Sequence, residues 1–61
     1  MDKIRKVRVG QVRCDGSSYN VEDYYVVINL LYGRLYRIKR LRDNSECSWY
    51  SHEIVKDAVI M

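Results

Sequence analysis

The chain has no proline and no phenylalanine, and it holds only two cysteines, three glycines and one histidine. Without proline there is no polyproline segment or stiff linker to divide it. A length of 61 residues fits one small domain, too small for a deep internal cleft. Two cysteines cannot build the disulfide framework of small secreted scaffolds. A bridge from Cys14 to Cys47 would need the two on facing strands, a geometry that spacing does not establish. Nowhere do 18 apolar residues run together, and Met1, Asp2, Lys3 and Ile4 lead into alternating charge and valine. The expectation is a cytoplasmic protein that neither spans a membrane nor is exported.

Reactive chemistry is equally sparse. Soft or borderline metal donors are Cys14, Cys47 and His52, with no Cys-x-x-Cys or His-x-x-x-His pair, so neither a metal site nor a cofactor is expected. Cys47 and His52 could form a thiolate and imidazole dyad, but no orienting group accompanies them. The reading is a packed Cys47 and a solvated His52. Glu22 with Asp23, and Glu53 with Asp57, read as solvated charges rather than an acid and base pair. Gly10, Gly16 and Gly33 are isolated, so no glycine loop cradles a phosphate. The chain is expected not to be an enzyme.

What is present reads as strands. Apolar residues make up 48% and charged residues 31%, a globular balance. From Lys3 to Cys14, Val7 and Val9 alternate with Lys6 and Arg8 until Gly10 shifts the parity towards Val12, which predicts a bent first strand. Asp15 to Asp23 is a cluster of turn formers and the longest loop. Tyr24 to Leu31, dense in β-branched and aromatic residues, reads as a central strand covered on both faces. Tyr32-Gly33-Arg34 supplies a tight reversal. In Leu35 to Leu41, Tyr36 and Ile38 share one face while Arg37 and Lys39 share the other. Arg42 to Ser45 is a turn, and Glu46 to Trp49 a short strand with Cys47 and Trp49 on one side. Beyond it, Ser51 reads as the cap of one helical turn, and Asp57 to Met61 as a closing strand, although a longer helix also fits Ile54, Val55, Ala58 and Val59.

The fold class expected is therefore all-β, with five strands and one short helical turn before the last. Through Val9-Gly10-Gln11-Val12, Tyr24-Tyr25-Val26-Val27, Leu35-Tyr36-Arg37-Ile38 and Trp49 ahead of Glu53-Ile54, the chain resembles the small Src-homology-3-like barrels. It also resembles short barrel proteins of bacteriophages and mobile elements, for which the compartment would be the host cytoplasm. The Ala-Leu-Tyr-Asp-Tyr-like run of the proline-binding members is missing, so the resemblance implies a binding module but not polyproline recognition.

Charge distribution carries the functional signal. All of the eleven Lys and Arg residues except Lys56 fall in two runs without an acid, from Lys3 to Arg13 and from Arg34 to Arg42. The net charge of +3 understates this clustering, because the acids gather elsewhere and an electric dipole should cross the domain. Arg37 and Lys39 on one strand face would stand about 7 Å apart, near the repeat of a nucleic-acid backbone. Arginine forks grip phosphates and six tyrosines offer stacking surfaces. The expected binding surface is Lys6, Arg8, Arg34, Tyr36, Arg37, Lys39, Arg40 and Arg42. Nucleic acid fits it, and so does an acidic protein surface, since Arg and Tyr also dominate protein interfaces. No helix long enough to read a DNA groove is expected. Solvated charge that only prevents aggregation is the bland alternative. Self-association through an edge strand, or through Leu31 and Leu35, completes the set.

Overall fold

The computed structural model describes residues 6–16 and 20–60. Lys3, Arg5 and Met61 therefore lie outside the described residues. Five antiparallel strands form one sheet: β1 (Val12–Cys14), β2 (Tyr24–Tyr32), β3 (Leu35–Arg40), β4 (Glu46–Tyr50) and β5 (Ala58–Val59), with a helical turn α1 (Ser51–Ile54) before β5. Their order across the sheet is β4-β3-β2-β1-β5, which makes β2 the middle strand and leaves β4 and β5 as edges. The sheet is open. Among the described residues no helix is long and apolar enough to cross a membrane.

The β2–β3–β4 meander forms where the sequence pattern is strongest. Gly33, at φ 53°, opens a two-residue loop with Arg34 that pairs Tyr32 with Leu35, because glycine accepts the positive φ a tight hairpin requires. The next turn carries a non-glycine positive φ at Asn44, beside an Asp43 carboxylate that accepts the Ser45 N–H at 3.0 Å. The Ser45 side chain, then that backbone bond, and lastly Arg42 and Arg40 hold the Asp43 carboxyl below its ordinary pKa.

The N-terminal segment departs from the expected long strand. Only Val12–Cys14 pairs as a strand, and a turn at Val9 and Gly10 interrupts the segment before it. Gln11 is the cause. Its side-chain oxygen accepts the Arg8 N–H at 3.1 Å while its amide donates to the Lys6 carbonyl at 3.1 Å, replacing ladder bonds with a local clamp. Val7 still packs on the core, but Val9 is exposed. Ser51 also differs from expectation. It is the first residue of α1 rather than its cap, no side-chain bond caps that turn, and its N–H donates to the Arg34 carbonyl at 2.8 Å.

The core lies on one face of the sheet, where Tyr25, Val27, Ile38 and Ile54 are buried and Val7, Tyr36, Cys47 and Trp49 pack around them. Tyr25 meets Trp49 edge to face at 5.0 Å between ring centres. Cys14 is buried and Cys47 half-buried. Over the expected central strand, cover on both faces fails beyond Ile28, since Asn29, Leu30 and Tyr32 are exposed. Irregularities between Val27 and Asn29, and again between Leu30 and Tyr32, let this half of β2 bend away from the core.

A polar network is sealed into this core. Arg13, read from sequence as part of a surface run, is fully buried. Its Nη1 donates to the carbonyls of Ile54 at 3.0 Å and Asp57 at 2.9 Å. Its Nη2 donates to the Lys6 carbonyl at 3.2 Å and its Nε to Gln11 Oε1 at 3.0 Å. One guanidinium thus ties the N-terminal turn and the segment after α1 to β1. Burial lowers its pKa, against the opposing effects of Tyr25 and Asp57. Asp57, read as a solvated charge, instead accepts the Tyr25 hydroxyl at 2.5 Å. Burial, then this bond and the Asp57 charge, push the Tyr25 pKa well above its ordinary value. A tyrosine favoured as neutral in the folded state stabilises the fold fully below the unfolded pKa of about 10 and progressively loses that contribution above it. Denaturant melts of wild type should therefore weaken more steeply above pH 10 than those of Tyr25→Phe. Parallel profiles for the two proteins would contradict this assignment.

Candidate nucleic-acid interface

Strand register builds the surface, because residues paired across a ladder project to the same side. On the side away from the core, Tyr32, Leu35 and Tyr50 form one row across β2, β3 and β4. Asn29, Arg37 and Ser48 form the next row, and Val26, Lys39 and Glu46 the third. Arg37 and Lys39 share this face as their parity predicts, with Ile38 buried between them on the other. Tyr32 is 70% and Tyr50 50% exposed, and His52 lies nearly parallel against Tyr50, 5.8 Å between ring centres and 16° between planes.

The predicted surface is thus split. Tyr36 lies on the core side, paired with Trp49 and packed on the core, opposite to Arg37 and Lys39. Arg40 also turns to the core side, where its guanidinium lies 5.3 Å over the Trp49 ring. Arg37 is bound to Glu46 at 3.2 Å, and Arg42 lies 4.0 Å from Asp43. Both pairs are exposed, so each holds its arginine only weakly. Arg8 stands exposed on the N-terminal turn.

On the core side, a groove of about 520 Å³ is lined by Lys6, Val7, Arg34, Tyr36, Ser51, His52 and Val55, and His52 links it to Tyr50 of the outer row. Three cationic or protonatable side chains therefore converge on one hollow, with two hydroxyls between them. Among the described residues no ion pair engages Lys6, Arg34 or Lys39. A second hollow of about 320 Å³ is lined by Asp15, Trp49, Glu53, Lys56 and Asp57. The α1 turn separates the two, presenting Ser51 and His52 to the first and Glu53 to the second. Cations thus line one flank of α1, while three acids and Lys56 line the other.

Three residues of this surface were missed in the sequence reading. Tyr50 was legible, since it continues the exposed parity of Glu46 and Ser48. Tyr32 was not, because the irregularities in β2 set its side. His52 was read as merely solvated, and its stacking depends on the entry into α1. Among the described residues no group of acids, histidines and cysteines is arranged to hold a metal ion. No known protein family, curated protein or solved structure gives a significant match to the chain.

Proposed function

We propose that the protein is a non-catalytic module that binds single-stranded nucleic acid on the outer face of β2, β3 and β4. The observation that carries this reading is the row of Tyr32, Leu35 and Tyr50, both tyrosines exposed, on the same face as Arg37 and Lys39, with His52 stacked on Tyr50 and leading to the groove that Arg34 and Lys6 line. Unpaired bases stack on aromatic faces while cations follow the backbone, and each base contributes about 1 to 3 kcal/mol in such sites. A duplex hides its base faces, so single strands are preferred. Arg37 joins the phosphate contacts by exchanging its exposed bond to Glu46 for a phosphate.

In this proposal the open sheet belongs with the small Src-homology-3-like barrels, which the element order supports, together with the bonds from Gly10 N–H to the Val27 carbonyl and from Val27 N–H to the Gln11 carbonyl. A cysteine count of two fits a reducing, cytoplasmic setting. The test is a titration of labelled single- and double-stranded oligonucleotides over a range of salt. Single strands should bind more tightly, with a slope of log affinity against log salt of about −3, as expected when the four cations Lys6, Arg34, Arg37 and Lys39 neutralise phosphates. No binding at low salt overturns the proposal. Equal binding of a polyglutamate peptide would instead favour an acidic protein surface as partner.

A further inference from the structure

The two sheet edges differ in how they are protected. β5 is only two residues long, and shortness is one of the ordinary ways an edge is blunted. β4 has five residues, Glu46–Tyr50, with an uninterrupted register against β3. It carries no lysine, no proline and no bulge, and among the described residues nothing pairs with its outer side.

The hydrogen-bonding phase of that edge follows from its flanks. Arg40 N–H donates to the Ser45 carbonyl and Ser51 N–H donates to the Arg34 carbonyl, both at 2.8 Å. Bonds alternate along an antiparallel pair, so Ser45, Cys47, Trp49 and Ser51 bond inward to β3. Glu46, Ser48 and Tyr50 therefore direct their N–H and C=O groups outward, a row of unpaired backbone donors and acceptors.

We propose that β4 pairs antiparallel with β4 of a second copy, about a two-fold axis at Ser48. In this register Ser48 faces the partner's Ser48 and Glu46 faces the partner's Tyr50, so all five residues pair and every outward backbone group finds a mate. Glu46, the only charge on the strand, meets no like charge and comes beside the partner's Tyr50 and the His52 stacked on it. On the core side, half-buried Cys47 meets the partner's Trp49, which covers the exposed remainder of both. The axis is normal to the sheet, so the two outer faces form one continuous surface on the same side. This pairing does not depend on nucleic acid being the ligand.

Sedimentation and oxidative cross-linking test the proposal and its register. Wild type should sediment at twice the 7.3 kDa chain mass at micromolar concentration. Ser48→Pro removes an outward N–H without breaking a bond to β3, so it should give a folded monomer by circular dichroism. Paired Ser48 residues lie about 5.5 Å apart between α-carbons, within disulfide range. Cys47 and the partner's Cys47 lie about 8 Å apart, outside it. Under mild oxidant Ser48→Cys combined with Cys47→Ser should form a covalent dimer at least tenfold faster than wild type. A monomeric wild type overturns the proposal. Faster cross-linking of wild type than of the Ser48→Cys protein overturns the register.

Discussion

Replacing Arg13 with alanine should remove about half of the protein's stability or more. The guanidinium is fully buried and serves the carbonyls of Lys6, Ile54 and Asp57 together with the Gln11 side chain. Its removal strands those acceptors and takes a countercharge from Asp57, whose carboxylate already holds the Tyr25 hydroxyl. Losing one partner of a buried charged group costs about 3 to 5 kcal/mol. A chain of 61 residues has a total stability of about 3 to 9 kcal/mol at the usual value per residue. Arg13→Lys keeps the charge but offers one ammonium in place of a planar fork, so it should fall between wild type and Arg13→Ala. Arg8→Ala is the contrast. It comes from the same basic run but is exposed, and should change stability by less than about 0.5 kcal/mol. Thermal and urea melts of the three variants decide the matter, and an Arg13→Ala protein with wild-type stability would remove the keystone role.

The second large effect concerns binding. Tyr32→Ala with Tyr50→Ala should reduce affinity for single-stranded oligonucleotides at least tenfold, since each stacked base contributes about 1 to 3 kcal/mol. The slope of affinity against salt should stay the same, because every cation remains in place. Arg34→Gln with Lys39→Gln should do the reverse, lowering the slope by about 1.4 for two lost phosphate contacts while stacking persists. Both tyrosines are at least half exposed, so the alanine pair should melt close to wild type. Undiminished binding by the tyrosine variant would mean that bases do not lie on this face. A shared loss of slope in both variants would mean that the tyrosines only position the cations.

The legible part of the fold was the local part. The meander from Tyr24 to Tyr50 followed from alternation and from glycine at the hairpin, and its register placed Arg37 and Lys39 together as parity required. The end of the chain was open between a longer helix and a helical turn with a closing strand, because Ile54, Val55, Ala58 and Val59 fit both, and the structure has the turn and the short strand. The N-terminal strand was overestimated, because period two in Lys6 to Val9 does not reveal that the Gln11 side chain takes up the Arg8 N–H and the Lys6 carbonyl. Within the proposed surface, parity separated Tyr36 from Arg37, but the bend of β2 that exposes Tyr32 left no mark in a run of uniformly strand-favouring residues.

Sequence alone determined an all-β chain with two basic runs, because alternation and charge spacing are properties of neighbours along the chain. Tertiary structure alone decided which of those charges meet solvent. Arg8 and Arg13 look equivalent in sequence, yet one is exposed and the other is sealed among carbonyls from segments more than forty residues away. The physical reason is that a guanidinium can be buried only where several acceptors and a countercharge converge. That convergence is made by β1, α1 and the return to β5 folding together, and no local pattern encodes it.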